Sequence, residues 1–195
     1  QFSPKMVSYY LLGVLILCKS TASMLYGFFA FFMIKTMSFK NQMRVAVFLA
    51  SLTLLYPTMS IMKVFPHQQI IEVAEEYVGS RRASSLAFRF DNEHVLLTHA
   101  RERLFFGWGG WGRNRVYDED SGKDITVTDG KWIIVFGVSG VVGFIATFGL
   151  LAISIFRAKQ AFKWLEGKQE QNLLSAHALL VGIIMIDQLP NASLG

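Results

Sequence analysis

The chain has 195 residues, of which 52% are hydrophobic and 17% charged, and its mean hydropathy is +0.38. Soluble domains carry about a quarter charged residues, so an ordinary soluble domain is excluded in favour of a membrane protein with a polar insertion. The formal charge of +5 does not point to nucleic acid, because the lysines mostly flank apolar runs, where they set membrane orientation. Acidic residues are absent from Gln1 to Met62, and 11 of the 14 lie between Lys63 and Lys131. The single cysteine, Cys18, excludes an intramolecular disulfide and a thiolate metal cluster. The chain opens without Met and closes on an apolar run beside Gly195, as expected of a piece of a larger protein.

Crossing about 30 Å of hydrocarbon takes roughly 20 helical residues. In chain order, the candidate spans are residues 6–18, 21–37, 45–62, 132–156 and 173–189. The first two are short and parted by Lys19 and Ser20. Val45 to Met62 and Trp132 to Phe156 contain no charged residue and are the clearest signals. Leu173 to Leu189 holds His177 and Asp187 around an apolar centre, and Asp187 is read as a charge snorkelling to the interface, with a polar cavity as the alternative. Lys35 at the end of the second run and Lys40 and Arg44 after it, and Arg157, Lys159, Lys163 and Lys168 after the fourth, lead both loops to be expected at the cytoplasmic face. The expected architecture is an all-α integral membrane protein with about five transmembrane helices: three in residues 1–62, two in 132–195, and one large extracytoplasmic loop domain, 63–131, between them. Gly137, Gly140, Gly143 and Gly149 in the fourth run are read as a surface on which another helix packs.

The loop carries the chemistry. His67 to Val78 sets Ile70, Ile71, Ala74, Tyr77 and Val78 on one stripe, as in an amphipathic surface helix. Ser84 to Arg103 reads as a second helix with Leu86, Phe90, Val95 and Leu97 inward and Arg89, Glu93, Leu96, Ala100 and Arg103 on another face. Arg81, Arg82, Arg89, Arg101, Arg103, Arg113 and Arg115 stand in a stretch without lysine. Arginine forks bind phosphate oxygens bidentately and stay charged, so this patch suits a lipid pyrophosphate, with pairing to nearby acids or lipid headgroups as the plainer fate of any one arginine. Gly107 to Gly112 (GWGGWG) matches G-x-G-x-x-G without the strand before it that a dinucleotide site needs. It reads instead as a tight loop presenting Trp108 and Trp111 to sugars or to the membrane interface. Asp118 to Asp124 (DEDSGKD) reads as a solvated turn and lacks calcium-loop spacing. No metal spacing joins His67, His94, His99 and His177. Thr128 or Asp129 suits the cap of the fourth span, and Asp129 could also act as a base.

The order CKSTASMLYGFF, FRFDNE, ARERLFFGWGGWGR and TDGKWIIVFGVSGVVGF resembles the membrane O-antigen polymerase and ligase family. The likeness covers about Cys18 to Phe148, with Lys19 to Ser23 matching the T-x-S-R-G-A-like run and Gly140 to Gly143 the G-x-x-G of a later span. The resemblance implies a metal-independent, cofactor-free glycosyltransferase of the bacterial inner membrane with a periplasmic loop. Its donor would be an undecaprenyl-diphosphate-linked oligosaccharide used in O-antigen, capsule or exopolysaccharide synthesis. Its partners would be that glycan, membrane lipids and other envelope polysaccharide assembly proteins, and not nucleic acid. Matching puts Arg89 at the essential arginine that contacts the diphosphate. Arg81, Arg82, Glu93, Trp108, Trp111, Arg113 and Arg115 would be further substrate contacts, and Asp129 would be a catalytic base. Two departures are visible: Thr21 stands where the family has the arginine of its S-R-G run, and Asp129 stands where ligases hold a catalytic histidine, which favours a polymerase. A transporter or binding protein for lipid-linked polysaccharide is the second reading. Such a protein is expected to show repeats and broken, polar spans, and the third and fourth apolar runs show neither.

Overall fold

A computed structural model describes residues 3–17 and 21–191. Cys18, Lys19 and Ser20, and with them the expected turn between the first two spans, lie outside the described residues. Seven helices follow in order: α1 Pro4–Leu17, α2 Thr21–Thr36, α3 Phe39–Ile61, α4 His67–Val78, α5 Ser80–Arg101, α6 Lys131–Phe162 and α7 Lys168–Asp187. Among the described residues the only β pairing is an isolated bridge between Tyr117 and Asp124. The protein is all-helical, and α3 and α6, with 23 and 32 residues, are long and apolar enough to cross a membrane. At 14 and 16 residues, α1 and α2 are shorter than the roughly 20 that a perpendicular span needs.

The core forms where α3, α6 and α7 meet. Ala46 and Ala50 of α3 are completely buried, and Gly182 of α7 leaves so little room that an added Cβ would touch the backbone of Ala46 at 3.2 Å. Small residues on both helices bring the backbones into dispersion contact, the force available where water supplies no hydrophobic drive. From α6, Phe136, Phe144, Phe148, Ala152 and Ile155 are buried. Phe144, Phe148, Ala152 and Ile155, at spacings of four, four and three residues, lie on one face. At one end of the bundle the wholly buried Gln42 donates to the carbonyls of Met37 (3.0 Å) and Ile34 (3.3 Å) and accepts from the Ser175 hydroxyl (3.0 Å). Every polar atom of that side chain reaches a partner, which joins the α2–α3 turn to α7.

Helix α6 is not continuous. Gly140 has φ 64° and ψ −163°, a backbone region open essentially to glycine. The loop after α5 fills the break. Val141 and Val142 donate to the carbonyls of Leu104 and Phe105 (2.8 and 3.2 Å), while the Gly137 and Val138 carbonyls accept from Trp108 and Gly109 (2.8 Å each). A Cβ on Gly140 would collide with the Phe105 carbonyl, and one on Gly107 would sit 2.5 Å from the Val138 backbone. Gly137 and Gly140 therefore admit a loop rather than another helix, facing Asn114 and Leu104–Phe105 respectively, while Gly143 and Gly149 face Ser139 and Ile145 of α6 itself. The expectation of an unbroken fourth span fails for the same reason.

Helix α4 has the bounds read from its amphipathic stripe, and α5 begins at Ser80, four residues ahead of the expected start. Leu97 is buried as expected, Leu86 and Phe90 are half-buried, and Val95 is exposed. The face of α5 toward the core also uses Ala83, Asn92, Leu96 and Ala100. Asn92 donates to the Phe88 carbonyl (2.8 Å) and accepts from the Val127 N–H (2.8 Å), so a polar residue at a core position pins the strand-like return of the loop.

Candidate functional site

The residues Leu86, Arg89, Phe90, Glu93 and Leu96 of α5 follow three-and-four spacing and therefore share one face. That face forms a wall of a cleft of about 230 Å³, closed by Tyr56, Asp129, Ile133 and Pro190 among others. The cleft gathers Arg89, Glu93 and Asp129, three residues singled out from the sequence.

Arg89 is held from two sides. Its Nη1 donates to the Pro190 carbonyl (3.1 Å) and to Asn191 Oδ1 (3.4 Å), and its Nε lies 3.6 Å from Asp129 Oδ2. Asn191 in turn donates to Asp187 Oδ1 (2.8 Å). Asp187 is thus tied to Arg89 through one amide. Sequence reasoning missed Pro190 and Asn191, since nothing local marks two residues after an apolar run as partners of a side chain 101 positions away.

Asp129 does not cap α6. The cap position is Gly130, without a side-chain hydrogen bond, and neither Thr128 nor Asp129 takes the role expected of it. The Asp129 carboxylate turns instead to the Arg89 guanidinium. Both side chains are about one-third exposed, at 39% and 34%, so the pair stands at the open part of the cleft.

Glu93 is the buried acid, with its side chain only 12% exposed. It accepts from the Tyr56 hydroxyl, which is 3.0 Å from both carboxylate oxygens, from Ser60 Oγ (2.9 Å) and from the Trp132 indole N–H (3.3 Å). Burial pushes its carboxyl above the ordinary glutamate range, opposed by the hydrogen bonds from Ser60, Tyr56 and Trp132. His67 Nε2 is 3.8 Å away, too far for a hydrogen bond. Burial and the neighbouring His94 hold the His67 imidazole below its ordinary value, so at neutral pH it stands beside Glu93 as an uncharged ring packed on Phe65 and Phe90 at 4.9 and 4.4 Å.

The other expected contacts lie elsewhere. Arg81 and Arg82 are exposed on the first turn of α5; Arg82 and Arg89, seven apart, share a face two turns apart. Trp108 is not an open sugar platform: His99 stacks on it at 4.3 Å, the Arg103 guanidinium lies 4.4 Å over it, and its indole N–H donates to the His99 carbonyl (2.9 Å). Arg113 donates to Gly110 (3.2 Å) and Arg115 to Asp124 (2.6 Å). Trp111 is 99% exposed. The DEDSGKD segment is the turn expected, closed by Ser121 donating through its N–H and hydroxyl to Asp118 Oδ1. Among the described residues no three His, Cys, Asp or Glu side chains gather as metal ligands.

A second, apolar groove of about 470 Å³ runs along α2, α3 and α7, lined by Leu25, Phe28, Phe29, Phe32, Leu49 and Ile183 together with Tyr26 and Ile186. Tyr26 and Ile186 also line the cleft of Arg89, so the two adjoin across these side chains. Compared with protein-family models, with curated proteins and with solved structures, the chain has no match.

Proposed function

We propose that the cleft binds the diphosphate of an undecaprenyl-linked oligosaccharide and that the protein is a membrane glycosyltransferase of surface polysaccharide synthesis, a polymerase in preference to a ligase. The observation that carries this reading is that the cleft holding Arg89, Glu93 and Asp129 adjoins an apolar groove, the two sharing Tyr26 and Ile186. A site with a fixed guanidinium at one end and a hydrocarbon-lined channel at the other suits an amphiphile with an anionic head. The resemblance described above supplies the chemical class. In this reading α1, α2 and α7 cross the bacterial inner membrane with α3 and α6, and residues 63–131 face the periplasm.

The reaction is a displacement at the anomeric carbon. The acceptor hydroxyl oxygen forms the new glycosidic bond, the bond from that carbon to the diphosphate oxygen breaks, and the diphosphate leaves with the electron pair. Arg89, held by Pro190 and Asn191, offsets the charge growing on the leaving group. Its contact with Asp129 is one that an incoming diphosphate competes for, which frees the Asp129 carboxylate to take the proton of the acceptor hydroxyl. Glu93 fixes the wall of α5 against Tyr56, Ser60 and Trp132, with Arg81 and Arg82 extending the basic face toward the sugars.

The test is transfer of a labelled undecaprenyl-diphosphate oligosaccharide in liposomes. Wild type is expected to build longer lipid-linked chains, and Arg89→Ala to lose a factor of roughly 10²–10³, the usual effect of removing one charge-stabilising donor. Asp129→Asn should lower turnover with little change in donor binding. A transporter or binding protein is the second reading, favoured by the break in α6 at Gly140, since discontinuous spans mark many transport sites. Wild type that moves the lipid-linked sugar across the bilayer and transfers it to no acceptor would sink the enzyme and establish the transporter.

A further inference from the structure

Helices α5 and α6 run alongside each other in register. Glu93 meets Trp132, Leu96 and Ile133 share the cleft wall, and the Leu104 and Phe105 carbonyls meet Val141 and Val142. The chain then reverses at Gly107 and returns, with Asn114 against Gly137 and Val127 bonded to Asn92. Residues 93–127 are therefore a hairpin laid along α6, and its tip, 104–111, lies at the break in that helix. Phe156 is the last apolar residue before Arg157, and the part of α6 beyond the break, Val141 to Phe156, covers about 24 Å at 1.5 Å per residue. With Arg157 at one face of a hydrocarbon core roughly 30 Å thick, the break and the tip beside it lie close to the other face.

At this level the tip turns outward its aromatic side chains other than Trp108. Phe105, Phe106 and Trp111 are 66%, 77% and 99% exposed, and Trp111 is held at φ 65°, a conformation that disfavours a bulky residue. The flank of α6 just beyond the break is also apolar and exposed, through Val142 and Ile145. An apolar surface continuous with the flank of a spanning helix, rich in Phe and Trp and set at the hydrocarbon boundary, has the composition of a membrane-interface belt.

We propose that the 104–111 tip is a lipid anchor: Phe105, Phe106 and Trp111 insert at the boundary between headgroups and acyl chains, on the side of the bilayer where the cleft opens. The inference rests on α6 crossing the membrane and is independent of any sugar transfer. It is tested in a Cys18→Ser background by placing single cysteines with Phe106→Cys, Trp111→Cys, Leu150→Cys on the exposed flank of α6, and Ser121→Cys in the polar turn. Each is labelled with an environment-sensitive fluorophore, and the full chain is reconstituted into vesicles of phosphatidylethanolamine and phosphatidylglycerol. Nitroxide lipids labelled near the headgroup should remove most of the emission at 106 and 111, and those labelled deep in the chain most of it at 150. Aqueous iodide should quench only 121. Iodide quenching at 106 and 111 without lipid quenching overturns the anchor, as does protection from both quenchers, which would assign the tip to a protein interface. Loss of lipid quenching at 150 as well would overturn it together with the membrane placement of α6.

Discussion

Each end of the α3–α6–α7 bundle buries a polar side chain, and the two are solved differently. Gln42 is neutral, its amide is matched by two carbonyls and a serine hydroxyl, and neither the cleft nor the apolar groove reaches it. Glu93 is an acid, faces three donors on two other helices, and lines a cleft that also holds Arg89 and Asp129. A saturated neutral network specifies how helices dock. A buried acid raised above its ordinary range, next to open volume and a second charge pair, is the arrangement that binding and catalysis use. Burial alone does not separate the two; charge and adjacent space do.

The comparison breaks first at Glu93. Glu93→Leu strands the Tyr56, Ser60 and Trp132 donors, each costing about 1–3 kcal/mol when buried without an acceptor, so chemical denaturation should show a loss of about 3 kcal/mol or more. A loss below that of Gln42→Leu would mean that the acid cluster holds nothing together. For Gln42→Leu, which leaves the Ile34 and Met37 carbonyls and the Ser175 hydroxyl short of a partner, the expected loss is about 1–3 kcal/mol. Sugar transfer per folded molecule should be unchanged, and a loss of transfer at undiminished stability would erase the distinction between the two ends.

A pH titration of stability sharpens the contrast. Burial raises the Glu93 carboxyl above the ordinary glutamate value, so the folded protein binds that proton more tightly than the unfolded chain. Its contribution is then fully present below the ordinary value and is lost as pH rises toward the folded pKa. Wild type should therefore lose stability relative to Glu93→Gln across that window and run parallel to it above. A difference that stays flat would show that the hydrogen bonds from Ser60, Tyr56 and Trp132 cancel desolvation, and one that changes in wild type's favour that they outweigh it.

The smallest effect belongs to Asp124. Arg115 and Thr126 hold its carboxyl below the ordinary range, so its contribution is present above the unfolded pKa and falls away as pH drops through the folded one. As a surface pair it is worth less than about 1 kcal/mol, and Asp124→Asn should move the melting temperature little at neutral pH. A larger shift would give the 116–125 turn a role in holding the cleft that its exposure does not suggest.

Much of this was legible along the chain because it depends on local periodicity. The apolar lengths of α3 and α6, the amphipathic stripe of α4 and the three-and-four spacing that sets Arg89, Phe90 and Glu93 on one face all follow from helical geometry. What the tertiary structure alone decided is pairing over distance. Arg89 meets Pro190 and Asn191, Asp129 turns from the start of α6 to a guanidinium, and Trp108 is enclosed by His99 and Arg103. The break at Gly140 belongs to the same class, because a glycine inside an apolar run reads as helix packing until a loop some 35 residues earlier in the chain supplies carbonyls and N–H groups to the opened turn. Periodicity encodes which face a residue occupies; what stands opposite that face is set only when distant segments fold against it.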